Sequence, residues 1–312
     1  MKQRIKMIPG LFLVLLIFVI QCQNIETKVA SGKVVHFQTN RNRVIIPLSV
    51  NDSKPLNIIL DTGMRFDGVY LFHESFLDMI NTADAIEVRV PGAGAGEAST
   101  ALMIETGQLK FGDVVIDSQR VIISRSAHTQ GFPTDGVIGW NLFGHYTVEI
   151  NYDDEIITLH DTAGYEAGAG WKELPVRLKD GMPFFICDVE INEGEIVPLE
   201  CYIDLASGDA LELLTGPDQK FTMPDNLEDS YLGTGLSGDI HGQVGRVRKF
   251  TIAGYDISDI PAAFVKGDVR SKQDSGECIL GNNLIRRFNI IFDYHRSRLL
   301  LKPGKHFDKP FE

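Results

Sequence analysis

The chain contains an internal duplication, and this repeat restricts the possible folds more than any other feature. The segment GVIGWNLFGHYTVEINYDDEIITLH (136–160) aligns with CILGNNLIRRFNIIFDYHRSRLLLK (278–302) at a constant offset of 142 residues. Gly139 then matches Gly281. Self-similarity at a fixed distance indicates that one structural unit occurs twice. The sequence therefore predicts a body made of two related copies.

The repeat also predicts the organisation of the chain. We expect a first lobe at 34–161, a linker of small residues at 162–170, a second lobe at 171–305 and a tail at 306–312. Both copies consist of short apolar runs broken by Gly, Asn and Asp, a pattern typical of strands and turns. Helical periodicity is brief, as at 73–84. The sequence predicts a mainly β protein.

Each copy carries an aspartate at the end of an apolar, strand-like run, where a carboxylate is costly to desolvate. Asp61 lies 78 residues before Gly139, and Asp204 lies 77 residues before Gly281. If the two copies pair about a pseudo-twofold axis, the two carboxylates share one site and hold one proton between them. One carboxylate can then act as general base on a water while the other acts as general acid toward a carbonyl oxygen.

The motif ILDTG (59–63), followed by VIG (137–139), resembles the aspartic proteases of the pepsin and retropepsin superfamily. The resemblance covers both copies and is closest to bacterial retropepsin-like aspartyl proteases with two fused lobes. It implies a bilobal pepsin-like fold, made of tandem retropepsin-like β-barrel lobes with a cleft between them. It also implies that Asp61 and Asp204 are the catalytic pair and that neither a cofactor nor a metal ion takes part.

The same resemblance assigns supporting residues around the two carboxylates. These expected supports are Thr62, Gly63, Gly139, Ala206, Ser207 and Gly281. The family pattern has Thr or Ser after the aspartate, then Gly, then Ser or Ala. Met64 and Leu205 depart from that pattern. The family's threonine hydroxyl braces the opposite loop, so Leu205 removes one half of a mutual brace, and we expect Leu205 to pack at the lobe junction instead.

Two glycine-rich segments lie at equivalent places between the aspartate and the later glycine of each copy. The first includes the residues that the resemblance assigns to a flap over the substrate: Gly92, Ala93, Gly94, Ala95 and Gly96. The second is 230–245. Glycine permits backbone movement and close approach, which a closing flap requires. The alternative for each segment is a mobile surface hairpin.

The N-terminus has the pattern of an export signal at 1–22, in which basic residues precede an apolar run too short to span a bilayer. Cys22 directly follows this run and resembles the lipid-attachment cysteine of bacterial lipoproteins. The sequence thus predicts an exported periplasmic or cell-envelope protein, held to a membrane by a lipid on Cys22 through a tether at 23–33. The alternatives are an ordinary signal peptide with an incidental cysteine and an uncleaved anchor.

Composition and cysteine spacing limit the other classes of function. The formal net charge of −12 argues against a nucleic-acid partner, because binding to phosphates requires clustered Lys and Arg. Cys187, Cys201 and Cys278 cannot all pair, and their spacing has no metal-binding pattern. Cys187 and Cys201 flank a predicted hairpin turn and can approach each other, but we expect buried free thiols.

The function predicted from these features is that of a monomeric aspartic endopeptidase acting on peptide or protein substrates. The main alternative is a catalytically inactive bilobal module that binds peptides or a partner protein, which Met64 and Leu205 favour. Glycoside hydrolysis by paired carboxylates is a third class, but it requires a sugar cleft lined with aromatic side chains. Trp140 and Trp171 adjoin neither acid motif.

Overall fold

The structure is a computed structural model that describes residues 32–267 and 277–311. The predicted export signal, Cys22 and nearly all of the predicted tether lie outside these residues. None of the described helices is long and apolar enough to cross a membrane.

Most of the described chain is β-strand. The strands of the first copy are β1 (Lys33–His36), β2 (Gln38–Asn40), β3 (Arg43–Val50), β4 (Leu56–Leu60), β5 (Gly68–Leu71), β6 (Ile86–Val90), β7 (Ser99–Phe111), β8 (Val114–Ser124), β9 (Gly136–Ile138), β10 (Thr147–Asn151) and β11 (Ile156–His160). The strands of the second copy are β12 (Lys172–Pro175), β13 (Arg177–Lys179), β14 (Met182–Glu190), β15 (Ile196–Ile203), β16 (Leu211–Thr215), β17 (Glu228–Gly235), β18 (Gly238–Ile252), β19 (Tyr255–Lys266), β20 (Cys278–Leu280), β21 (Phe288–Asp293) and β22 (Arg298–Pro303).

Helices are short throughout the described part. The α-helices are α1 (Trp140–Phe143) and α2 (Asn282–Ile285), and the 3-10 helices are Glu74–Met79, Thr82–Asp84, Ala127–Gly131 and Tyr294–Arg296. The helical pattern at 73–84 therefore forms two 3-10 turns and no α-helix. Neither turn has a buried residue, and a short helix without a buried apolar face gains too little from packing to extend.

The two copies have the same sheet topology. In residues 32–267 and 277–311, each copy builds one eight-stranded sheet, ordered β2-β3-β4-β9-β5-β8-β7-β6 in the first and β13-β14-β15-β20-β16-β19-β18-β17 in the second. An additional pairing bends each sheet toward closure, β3 with β7 and β14 with β18. We call these two sheets the first and second lobes. The predicted duplication is thus present in the fold, strand for strand.

A further sheet joins the two lobes. Its order is β1-β11-β10-β21-β22-β12, with β10 of the first copy antiparallel to β21 of the second. Val148 lies opposite Phe292, and both side chains are fully buried. The predicted mainly β, bilobal fold is therefore confirmed. The predicted linker at 162–170 falls between β11 and β12, and its role as a domain boundary stays a prediction.

Three cysteines lie within the core of the second lobe. Cys187, Cys201 and Cys278 occupy the adjacent strands β14, β15 and β20, and all three are buried free thiols, as the sequence predicted. Cys201 lies directly opposite Cys278 in the parallel pair of strands. Burial raises the pKa of the Cys278 thiol, which keeps it protonated and unreactive.

Candidate active site

Both aspartates leave a central strand at the same topological position. Strand β4 is parallel to β9, and β15 is parallel to β20. The Asp61 N–H donates to the Ile138 carbonyl at 2.8 Å, and the Asp204 N–H donates to the Leu280 carbonyl at 2.9 Å. Each aspartate thus continues a parallel pairing by one residue past the end of its strand. The repeat places the two carboxylates in equivalent backbone settings.

The residue two positions after each aspartate orients its carboxylate. The Gly63 N–H donates to Oδ1 of Asp61 at 2.6 Å, and the Ala206 N–H donates to Oδ1 of Asp204 at 2.9 Å. Both aspartates are half-buried. One oxygen of each carboxylate is therefore fixed by the backbone in the same way in both copies, by Gly63 in the first and by Ala206 in the second.

The predicted glycines lie against the two aspartate loops. A Cβ added to Gly139 would lie 2.0 Å from the carbonyl oxygen of Asp61, and one added to Gly281 would lie 2.3 Å from the carbonyl oxygen of Asp209 and 2.8 Å from Oγ of Ser207. Backbone oxygens at such distances leave no room for a side chain, so the close approach of these loops requires glycine. The Ser207 hydroxyl itself accepts a hydrogen bond from the Asp209 N–H at 3.3 Å.

The Thr62 side chain joins the two loops directly. Its hydroxyl donates to the Ile203 carbonyl at 2.6 Å and accepts from the Leu205 N–H at 3.2 Å. Ile203 and Leu205 flank Asp204, so a first-copy side chain holds the backbone on both sides of the second carboxylate. We call these two hydrogen bonds the Thr62 link. Leu205 is fully buried in the main core, which confirms its predicted packing role.

The Thr62 link yields a stability prediction. In Thr62→Val the shape is retained, but the Ile203 carbonyl and the Leu205 N–H lose their partner inside the protein. A buried backbone group without a partner costs about 1–3 kcal/mol. We expect urea denaturation to show a loss of about that size for Thr62→Val, and a smaller loss for the control Thr62→Ser, which keeps the hydroxyl. Equal stability of Thr62→Val and wild type would contradict the link.

The predicted flap forms the tip of the hairpin between β6 and β7, and it contacts the equivalent hairpin of the second lobe. The Gly96 N–H donates to the Ser237 carbonyl at 2.6 Å, and the Ser237 N–H donates to the Ala93 carbonyl at 2.8 Å. The Ala95 N–H adds a bond to the Asp239 carbonyl at 3.2 Å. We call this set of backbone bonds the tip contact. It connects the β6–β7 turn to the β17–β18 turn.

An apolar cluster connects the second hairpin tip to residues of both aspartate loops. Leu236, at the tip of the second hairpin, packs against an apolar cluster that contains Met64 and also borders Ala206. The Leu236 carbonyl accepts hydrogen bonds from the Ser99 hydroxyl and from Nε2 of His128. Ala206 and Met64 each belong to an aspartate loop, so the second hairpin tip packs against the same apolar cluster as both loops.

Two cavities border the chain segment shortly after Asp61, one at Arg65 and one at Phe66. One has a volume of about 570 Å³ and is lined by Arg65, Trp140, Asp180 and Gly181. The other has a volume of about 280 Å³ and is lined by Phe66, Val88, Arg89, Val90, Pro91, Met103, Arg120 and Ile122. The second cavity is mostly apolar, and its walls include both strands of the first hairpin. The second cavity thus lies within the first lobe, whereas the first cavity borders both copies.

Some site features carried no signal that could be read from the sequence. The two hairpin tips contact each other through backbone N–H and carbonyl groups. The residue types in the tips therefore do not indicate which groups pair. Asn282 donates through Nδ2 to the Leu205 carbonyl, and Tyr152 donates to Oδ1 of Asn282. The repeat offered one usable clue here, because Asn282 replaces Trp140 at a matched position. In the described part of the chain, no group of three or more His, Cys, Asp or Glu side chains is placed to hold a metal ion.

Comparisons with known proteins establish the fold. No protein-family model matches the chain, and no curated protein matches its sequence. Among solved structures, the aspartic proteinase from Irpex lacteus matches with a TM-score of 0.57 and 12% identity, over 89% of this chain and 99% of that one. A structural likeness at this identity shows the architecture alone. The chain therefore has a pepsin-like bilobal β fold.

Proposed function

We propose that the protein is an aspartic endopeptidase of the retropepsin-like type, with Asp61 and Asp204 as its catalytic pair. The observation that carries this proposal is the Thr62 link, which ties the loop of one aspartate to the backbone on both sides of the other. The equivalent backbone settings of the two carboxylates support it further. The bacterial origin and the retropepsin-like subtype belong to the same proposal and rest on the sequence motifs.

The reaction is the hydrolysis of a peptide bond by a water held between the two carboxylates. The ionised carboxylate takes a proton from the water as its oxygen attacks the carbonyl carbon, and the protonated carboxyl gives its proton to the carbonyl oxygen. The tetrahedral diol then breaks its C–N bond. The leaving nitrogen takes one proton from the pair, and a diol hydroxyl returns one. The pair ends with the single proton it held at the start.

The substrate in this proposal is a peptide or protein segment in extended form. Such a segment lies between the carboxylates and the joined hairpin tips, and its side chains enter the two cavities. The tips must separate for a chain to enter, and their closure excludes water from the reacting bond. No cofactor or metal ion has a role in this scheme.

The test is cleavage of a denatured protein mixture by the purified body of the chain, with and without the statine-containing peptide inhibitor pepstatin. Cleavage that pepstatin suppresses supports the proposal. Cleavage that metal chelators abolish and pepstatin leaves unchanged would contradict it. If no unfolded substrate is cleaved at any acidic or neutral pH, the alternative of a peptide-binding module takes its place, and a peptide bound in the cleft becomes the observation to seek.

Gly94 offers a prediction for the tip contact. Its φ is +129°, and an added Cβ would lie 2.4 Å from the Gly238 carbonyl oxygen. Gly94→Ala should force the two tips apart and lower kcat/KM by about 10–100-fold through misplacement of the bound chain, with little change in Tm. The control is Gly233→Ala, because Gly233 has a φ of +135° but open space around its Cβ position. Equal kcat/KM for the two variants would contradict a role of the tips in closure.

The proposed location is the periplasm or cell envelope, with the protein monomeric and anchored by a lipid on Cys22. Support comes from the export-signal pattern of the sequence alone. We expect Cys22→Ser to move the protein from the membrane fraction to the soluble fraction. Mass spectrometry of the wild type should show a processed, lipid-modified N-terminus at Cys22. An intact N-terminus, or an unchanged distribution of the variant, would contradict the anchor.

A further inference from the structure

The two aspartate loops differ beneath their carboxylates, although the repeat would make them alike. Asn282 follows Gly281 in the second copy, and the matched position in the first copy is Trp140. The Asn282 side chain donates through Nδ2 to the Leu205 carbonyl and accepts at Oδ1 a hydrogen bond of 2.6 Å from the Tyr152 hydroxyl. Tyr152 belongs to the first copy, so this pair of contacts crosses from one copy to the other. We call it the Tyr152–Asn282 bridge.

We propose that Tyr152 and Asn282 are positioning residues that hold Asp204 together with the Thr62 link, an inference that rests on the proposed function. The Thr62 link fixes the Leu205 N–H, and the bridge fixes the Leu205 carbonyl. Both backbone groups of the residue next to Asp204 are therefore held.

Burial makes the bridge effective. Asn282 and Leu205 are fully buried, and Tyr152 is 7% exposed. In such a setting a hydrogen bond is stronger than in water, and a polar atom left without a partner is costly. Removing the Tyr152 hydroxyl leaves Oδ1 of Asn282 unsatisfied and frees the amide to rotate. The Leu205 carbonyl then loses its fixed donor, and the Asp204 carboxylate gains freedom to move.

The repeat supplies a matched control in Tyr294. Tyr294 occupies the position of Tyr152 in the other copy and is also buried. Its hydroxyl has no hydrogen-bond partner among the residues that the structure describes, and Trp140, which stands where Asn282 stands in the other copy, offers an indole donor but no acceptor. Burial raises the pKa of both tyrosine hydroxyls, so both stay protonated. Tyr294→Phe therefore removes the same atom without breaking a bridge.

The first experiment compares kcat and KM of Tyr152→Phe, Tyr294→Phe and wild type on one peptide substrate. We expect Tyr152→Phe to lower kcat about tenfold, the loss of one buried hydrogen bond, with KM unchanged. Tyr294→Phe breaks no hydrogen bond among the described residues, so we expect it to lower kcat less than Tyr152→Phe does. Unchanged kcat in Tyr152→Phe, or equal losses in both variants, would overturn the proposal.

Amide hydrogen exchange tests the bridge without relying on catalysis. Exchange across 204–207 should be faster in Tyr152→Phe than in Tyr294→Phe, because only the first variant loosens the Leu205 backbone. Equal exchange in the two variants would overturn the proposal, whether or not the protein cleaves peptides. If wild type cleaves nothing but this difference is present, the proposed function fails while the bridge stands.

Discussion

Asparagine in place of either Asp61 or Asp204 is expected to lower kcat by at least about 10³-fold, while leaving the fold intact. The substitution keeps the shape of the side chain and the backbone donor to it, but an amide can neither take a proton from water nor share one with its neighbour. Loss of a general acid or base alone accounts for about 10²–10⁴-fold. Steady-state cleavage of a peptide substrate, with thermal unfolding measured beside it, provides the test.

The control for these variants is Asp113→Asn, which makes the same chemical change at an exposed position in the turn between β7 and β8. Its kcat should equal that of wild type. If Asp61→Asn is inactive and Asp204→Asn is not, the second copy acts as a scaffold and the shared-proton mechanism is wrong. If both variants retain activity, the reaction takes place elsewhere on the protein.

Alanine in place of Phe292 is expected to lower the free energy of unfolding by about 3–5 kcal/mol. Phe292 is fully buried in β21 and lies opposite Val148 in β10. Its ring packs edge-on against Phe143 of the first copy, with centroids 4.9 Å apart. Truncation thus leaves a cavity at the sheet that joins the two lobes. Urea denaturation followed by fluorescence and circular dichroism measures the effect.

The matched variant for Phe292→Ala is Ile186→Ala, because Ile186 is 60% exposed on β14. We expect that surface truncation to change stability by less than about 0.5 kcal/mol. Phe292→Ala should also lower the activity of the folded protein. The reason is that β10 and β21 join the two copies, whose aspartate loops form the site. A loss no larger than that of Ile186→Ala would show that the joining sheet is not part of the cooperative core.

The fold could be predicted from the sequence because the duplication is preserved in residues that set topology. Gly139 lies against the Asp61 carbonyl, and Gly281 lies against the Asp209 carbonyl in the loop that follows Asp204. Apolar runs before Asp61 and Asp204 became the central strands β4 and β15. A glycine where two loops pack closely and an apolar run before a turn are both local features. One sequence is therefore enough to recognise them.

The contacts that complete the site were not predictable, because they join distant residues or backbone groups. Tyr152 and Asn282 are 130 positions apart, and neither side chain alone indicates the other. The Thr62 hydroxyl was expected to brace the opposite loop, but its acceptor is the Ile203 carbonyl, a group that every residue possesses. The tip contact likewise pairs backbone atoms of the two hairpins. Only the folded chain brings these atoms together.

The most direct test of a site shared by the two copies is a crystal structure of the protein with pepstatin bound. The central hydroxyl of the inhibitor takes the place of the attacking water. The account predicts that this hydroxyl lies within hydrogen-bond distance of both the Asp61 and the Asp204 carboxylates, with the peptide chain between them and the tips at Gly94 and Ser237. An inhibitor hydroxyl that contacts Asp61 alone, or an inhibitor bound away from both aspartates, would contradict it.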